Sequence, residues 1–387
     1  MPKPKTPKAN PIQTAIRTWI ALIPRPNGDE NQKLWQEELV NSAPKRFTIY
    51  EPMALLPSGS FANEAWTSAL RGVGQDASTH LWFLILKELS TQAKGDLTHL
   101  AANEGIPLHK NGAVDENVLR SPSGLRILYG NFGPAGVTTE AVSENKFDEA
   151  LWASTKQNGI YQTWAPKWTM FSRGNIKEKA RLLDMKSSDR GSGFSEKPWA
   201  VDLYAGIGYF VFSYARLGLR VLCWEINPWS VEGLRRGAIA NRWTVKVVQG
   251  KELELPVGEI IAGGDRIIVF LESNEEALRR IQSLQAQAMV REIRHINCGF
   301  LPTSEPTWRH SWNMSSSSTE TWLHLHENVG VNDTEARRQE IQHRFEDWIE
   351  DKEKRTVKVE HVELVKTFAP GVWHCVFDVH VQSSSCQ

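Results

Sequence analysis

An aspartate, two glycines and a glutamate are spaced here as a ligand site would space them. Asp202 closes an apolar run, Gly206 and Gly208 follow in a turn, and Glu225 ends the next apolar run. Glycines in such a turn bring backbone amides close to a ligand at the start of a helix, and a carboxylate about 20 residues further on can accept from ribose hydroxyls. The order strand, glycine turn, helix, strand and acidic tip therefore predicts a nucleoside-cofactor site. A dinucleotide fingerprint would need a third glycine where this chain has Val211, which disfavours nicotinamide and flavin cofactors.

The elements that position these residues follow from the apolar patterning. Runs at 199–204, 220–224, 245–249, 266–271, 293–300, 321–326 and 375–381 alternate with helix-like stretches at 209–217, 228–240, 274–292 and 334–352. Such alternation predicts a mostly parallel sheet covered by helices on both faces. Val376 to Val381 alternates in character, as an edge or antiparallel strand does. The run Leu81 to Leu86 is too short to span a bilayer and reads as a core helix. Lys186 to Ser195 reads as a linker, and Ser315 to Ser318 as a surface insertion.

The whole chain has 387 residues, enough for two cores, with 45 basic and 45 acidic residues and no net charge. A neutral total does not exclude nucleic acid, since phosphates are met by local clusters. Residues 167–190 hold seven basic side chains against three acidic ones. Arg120, Arg126, Arg173 and Lys177 are candidates for a phosphate-facing surface. Four cysteines lack metal-ligand or framework spacing, so the reading is no metal, no disulfide and a reducing, cytoplasmic setting. No membrane segment is expected.

The turn Asp202-x-x-x-Gly206-x-Gly208 resembles the first motif of Rossmann-like methyltransferases that bind S-adenosylmethionine. Several other segments resemble one branch of them, the Met-10-like tRNA-modifying enzymes: Met170-Phe171-Ser172-Arg173-Gly174-Asn175 through Lys179, Trp224-Glu225-Ile226-Asn227-Pro228, Asn297 to Glu305, Leu323 to Val329, and Val365-Lys366-Thr367-Phe368-Ala369-Pro370. The resemblance starts near Phe47 and covers about 340 residues. It implies an α/β fold, a Rossmann-like class I methyltransferase sheet with a smaller N-terminal α+β domain. The expected division is a basic tail with the start of the N-terminal domain over 1–46, an N-terminal and tRNA-approach region over 47–185, and the cofactor-binding catalytic domain over 196–387.

The resemblance also implies S-adenosylmethionine as cofactor and transfer of its 3-amino-3-carboxypropyl group onto 4-demethylwyosine, the tricyclic base beside the anticodon of phenylalanine tRNA, with release of methylthioadenosine. It places Ser172, Lys179, Asp202, Tyr204, Gly206, Gly208 and Glu225 at the cofactor. Where family members carry Asp-Asn after the third core strand, this chain has Gly250-Lys251-Glu252, which leaves Lys251 and Glu252 as departures at the adenine position. Asn297 stands as the catalytic candidate. It is followed by Cys298-Gly299 instead of the prolines that clamp a target nitrogen in methyl transfer. The alternatives are a guanine-N1 methyltransferase acting next to the anticodon and a silent cofactor-binding tRNA adaptor.

Overall fold

The computed structural model describes residues 9–23, 29–103, 124–134, 144–185, 198–350 and 354–383. Arg120, the basic residues 1–8 and the linker at 186–195 lie outside them. Contacts divide the chain into two compact units, 1–155 with 164–170 and 156–163 with 171–387. This differs from a boundary after 185, because the segment from Phe171 onward belongs to the second unit.

In the first unit, α1 (Pro11–Leu22), α2 (Asp29–Ser42) and α3 (Glu64–Ser90) pack with β1 (Thr48–Tyr50), β2 (Met53–Leu56), β3 (His99–Ala102) and β4 (Arg126–Tyr129), a four-stranded sheet in the order β1-β2-β3-β4. Asn10 caps α1 by accepting from the Ile12 amide at 3.0 Å, with Pro11 opening the helix. Ile12, Ile16 and Trp19 of α1 are buried with Trp66, Leu81, Ile85 and Leu89 of α3. The start of the N-terminal domain expected within 1–46 thus consists of two core helices, α1 and α2. The run 81–86 is helical as expected, with Phe83 left exposed on the outer face. A short helix α4 (Glu144–Asp148) precedes the hairpin β5 (Ala153–Gln157) and β6 (Ile160–Trp164), along which the chain passes between the units.

The second unit contains α5 (Ile176–Asp184), β7 (Trp199–Asp202), α6 (Val211–Arg216), β8 (Arg220–Trp224), α7 (Pro228–Ala240), β9 (Val245–Val248), α8 (Val257–Ile261), β10 (Ile267–Phe270), α9 (Ala277–Ala286), β11 (Ile293–Cys298), α10 (Trp308–Met314), β12 (Glu320–Gly330), α11 (Thr334–Glu346), β13 (Arg355–Ala369) and β14 (Val372–Ser383). Its eight strands run in the order β13-β14-β12-β11-β7-β8-β10-β9. The six from β12 to β9 are parallel, and β14 is antiparallel to both β12 and β13. Every strand expected from the apolar runs is present. The last run is antiparallel as expected but lies inside the sheet, because β13 covers its outer side. The patterning missed β13, whose pairing shifts register three times and so blurs the two-residue alternation.

The Ser315–Ser318 stretch is only partly at the surface, with Ser316 and Ser317 exposed and its two ends built into the fold. Ser315 and Ser318 are buried, Ser318 Oγ accepts from the Ile293 amide at 2.9 Å, and the Arg355 guanidinium donates to Ser315 Oγ at 2.5 Å. These hydroxyls satisfy backbone and guanidinium groups at a helix-to-strand corner.

One face of the large sheet is apolar, with Leu222, Trp224, Phe270, Ile296, Leu323, Leu325 and Phe377 in one cluster. The other face carries Asp202, Asn297, His324 and Asp378 in register across four neighbouring strands. His324 Nδ1 lies 2.6 Å from Asp378 Oδ1, and His324 Nε2 lies 3.0 Å from His295 Nδ1. Arg181 of α5 clasps Asp378 at 2.5 and 3.1 Å and Glu178 at 2.7 and 2.8 Å. Burial alone would push the Asp378 carboxyl up, but His324 and Arg181 outweigh it and hold it well below the usual carboxylate range.

Asp378→Ala is expected to destabilise the second unit by about 3–5 kcal/mol, because it strips buried His324 of its carboxylate and leaves the Arg181 guanidinium with Glu178 alone. A carboxyl with a depressed folded pKa stabilises fully above its unfolded value of about 3.9 and loses that contribution as pH falls through the folded value. Guanidinium unfolding followed by tryptophan fluorescence should therefore show a gap between parent and variant that is wide at about pH 6 and narrows towards about pH 2. A gap independent of pH would contradict the ion-pair account.

Candidate functional site

The chain starts building the parallel sheet at β7, proceeds through β8 to one side, and returns to place β11 on the other side. In an open α/β sheet, a reversal of this kind leaves a crevice beyond the carboxyl ends of the two central strands. Asp202 and Asn297 end β7 and β11 as direct neighbours there, both fully buried. Asp202 Oδ1 accepts from the Tyr204 amide at 3.1 Å and from Asn297 Nδ2 at 3.0 Å. Asp202 Oδ2 and Asn297 Oδ1 have no partner among the described residues. Burial raises the Asp202 carboxyl to about 6, against the pull of Asn297 and the Tyr204 amide.

The turn after β7 takes its shape from its glycines. Gly206 and Gly208 have φ of +52° and +89°, and a Cβ on Gly208 would lie 2.6 Å from the Phe212 ring. Glu225, at the tip of β8, fastens this turn: its Oε2 accepts from the Gly206 amide and its Oε1 from the Asn227 amide, each at 2.8 Å. Burial raises the Glu225 carboxyl, while these amides pull it back. A carboxylate has about four acceptor positions, so these bonds and one from the Ile226 amide leave room for a hydroxyl donor. Tyr204 stacks on Phe300, with ring centres 5.0 Å apart.

The upstream block meets the turn through Tyr209. The Ser172 amide donates to the Tyr209 hydroxyl at 3.0 Å, and Ser172 Oγ accepts from Lys366 Nζ at 3.1 Å. Lys179 is buried, donates to Gln157 Oε1 at 2.5 Å and Gln162 Oε1 at 2.6 Å, and lies over the Phe171 and Tyr209 rings. Burial lowers its ammonium to about 7. Ser172, Lys179, Asp202, Tyr204, Gly206, Gly208, Glu225 and Asn297 therefore belong to one connected region of the second unit.

Lys251 and Glu252 do not join it. They are exposed on the 3₁₀ turn Gly250–Glu254 after β9, and β9 is the outermost strand. The strand beside β8 is β10, so the third strand of the core is the fourth in sequence. At about 4.8 Å per strand, this sets the β9 tip about 10 Å from that of β8. The residues beside Glu225 at the sheet edge are Leu271, Glu272, Ser273 and Asn274. Glu272 accepts from Trp224 Nε1 at 3.0 Å and is clasped by Arg280, while Asn274 Nδ2 donates to the Leu203 carbonyl at 2.8 Å. Counting strands along the sequence missed this segment. Its signal was an uninterrupted apolar run, Ile267 to Leu271, ending in Glu-Ser-Asn.

The basic stretch 167–190 is also not one solvated face. Lys167 donates to the Gly133 and Pro134 carbonyls, and Lys179 and Arg181 are taken up by buried partners. Arg126 donates to the Ser60 carbonyl. Arg173 and Lys177 are exposed. No cluster of metal-ligand side chains occurs among the described residues, and none of their helices is long and apolar enough to cross a membrane.

Two buried acceptors without partners, a glycine turn and a ribose-competent carboxylate fit a nucleoside cofactor that also carries donors. No family profile matches the chain. Pyrococcus horikoshii TYW2, solved in complex with MeSAdo, is similar in fold at a TM-score of 0.59 and 17% identity, over 96% of this chain and 100% of that one. Trm5b from Pyrococcus abyssi is similar at 0.51 and 14%, over 89% and 78%. Among curated proteins, tRNA wybutosine-synthesizing protein 2 of Schizosaccharomyces pombe is 40% identical over 87% of this chain and 72% of its own length. Its namesake from Saccharomyces cerevisiae is 32% identical over 92% and 78%. On identity and coverage together, the chain belongs to the tRNA wybutosine-synthesizing protein 2 family.

Proposed function

We infer that this chain is an S-adenosylmethionine-dependent transferase of wybutosine biosynthesis, which moves the 3-amino-3-carboxypropyl group onto the tricyclic guanosine beside the anticodon of phenylalanine tRNA. The observation that carries the reading is similarity to the two yeast proteins over most of this chain, combined with a crevice whose residues suit that cofactor. When bound, S-adenosylmethionine supplies a sulfonium with three electrophilic carbons, so the outcome depends on which carbon is turned toward the acceptor in line with its bond to sulfur.

The chain's own residues do the turning. Glu225 accepts from the ribose while its bonds to the Gly206 and Asn227 amides keep the turn in place. Glu272 to Asn274, beside Glu225 at the sheet edge, take the adenine side in place of Lys251 and Glu252. Asp202, steadied by Asn297, offers a free carboxylate oxygen to the cofactor's cationic end. Ser172 and Lys179 serve its carboxylate end. Asn297 is an orienting residue on this reading. Buried, unpaired thiols at Cys223, Cys298 and Cys375 agree with a cytoplasmic setting.

Glu225→Ala is expected to weaken S-adenosylmethionine binding by about 1.5–3 kcal/mol, the scale of hydrogen bonds to a charged group, with Glu225→Gln losing less. Calorimetry decides, and unchanged affinity in a folded variant would remove Glu225 from the site.

The transferred group is tested with two labelled cofactors. Label in the methionine carboxyl should enter tRNA that carries the tricyclic precursor, and label in the methyl should leave in methylthioadenosine. Methyl label in the tRNA would convert the reading to a methyltransferase. Transfer of neither would favour an adaptor.

A further inference from the structure

Ser172 lies between two lysines that have no acidic partner among the described residues. Lys366, on β13, donates from Nζ to Ser172 Oγ at 3.1 Å. Its stem crosses Gly174 so closely that a Cβ there would collide with Lys366 Cδ. Across the sheet Lys366 pairs in register with His374, which is 1% exposed and whose Nδ1 has no partner among the described residues. On its other side, the Ser172 amide binds the Tyr209 hydroxyl, and the Lys179 ammonium lies 5.9 Å from the centre of that ring.

The ion pairs of the second unit bypass this cluster. Lys179 donates to two neutral amide oxygens, and no carboxylate pairs with Lys179, Lys366 or His374 among the described residues. Burial lowers the ammonium of Lys366, and burial together with Lys366 lowers His374 to about 4. Withdrawing cations from water without a counter-charge is unfavourable, and an anion placed among them reverses that penalty. Lys366 has used one of its three donors and Lys179 two, so both can still donate.

We propose that Lys366 is a second cation for the carboxylate of the transferred group, forming with the Ser172 hydroxyl and Lys179 the subsite that selects a carboxylated cofactor. The proposal rests on the transferase reading above. A small carboxylate fits better than a tRNA phosphate, since Lys179 is only 4% exposed and Ser172 is tied to Tyr209 of the cofactor turn. The carboxylate is untouched by the reaction, so the same contacts hold it before and after transfer.

The test compares S-adenosylmethionine with its decarboxylated analogue by calorimetry, using the full chain. Lys366→Met should weaken S-adenosylmethionine about tenfold to hundredfold and leave the analogue within about twofold, the range expected for a hydrogen bond to a charged group. Lys366→Arg should recover part of the loss. Gly174→Ala removes no charge but displaces the lysine stem, and it should erode the same preference, which covers the case of a poorly folded Lys366→Met. Equal losses with both ligands would overturn the proposal, as would unchanged cofactor binding with weakened tRNA binding, the mark of a phosphate contact. A parent protein that binds neither ligand would instead overturn the cofactor reading itself.

Discussion

The bidentate clasp of Arg181 on Asp378 ties the upstream half of the site to the sheet. Asp378 belongs to β14 near the end of the chain, and Arg181 belongs to α5, before the first strand of the sheet. A buried pair of this kind contributes little net stability against an apolar replacement, but it specifies position, since either partner alone is costly to bury. With Arg181 fixed, Lys179 stands half a turn away on the same short helix, beside Gln157 and Gln162. Ser172, one turn before that helix, meets Tyr209. The clasp also explains why α5 belongs to the second unit, although the chain leaves that unit between β6 and Phe171.

Both faces of the large sheet bury apolar side chains, Val221, Ile267 and Val269 on one and Trp224, Phe270, Leu323 and Phe377 on the other. The first of these faces also has polar residues in register at Asp202, Asn297, His324 and Asp378, each needing a partner at its own level. Toward β14 the partners are internal, through His295, Arg181 and Glu178. Toward β7 two oxygens have none among the described residues. One row of side chains thus passes from structural to ligand-facing as it crosses the sheet.

Much of this was legible because the physics is local. The glycine turn shows in sequence because only glycine takes φ of +52° and +89° easily, and Glu225 because a carboxylate at a strand tip is spaced from it by one helix. Strand order is a different matter. Nothing in residues 245–271 says that β9 lies outside β10, since both are short apolar runs and the choice is made by pairing with β8. That non-local decision moved the residues beside Glu225 from Lys251 and Glu252 to Glu272 and Asn274. The bulged β13 was hidden for a related reason, its alternation being reset at each shift of register. The serines at 315–318 misled because small polar residues suit loops, while the burial of Ser315 and Ser318 depends on Arg355 and Ile293 arriving from distant parts of the chain.

Charge is sorted along the crevice in a way that bears on reaction choice. Among the described residues, acidic groups without basic side-chain partners, Asp202 and Glu225, stand at the tips of β7 and β8, while cations without acidic partners, Lys179 and Lys366, stand on α5 and β13. A methionine moiety carries its positive sulfonium and ammonium and its negative carboxylate on one short chain, and such a field prefers one direction for it over the reverse. Because all three carbons on the sulfonium are electrophilic, fixing that direction decides which of them can reach an acceptor in line. On the proposed reading, then, the choice of an aminocarboxypropyl group over a methyl group is set by where unpaired charges are held, and the Arg181–Asp378 clasp matters because it keeps the positive end of that arrangement in place.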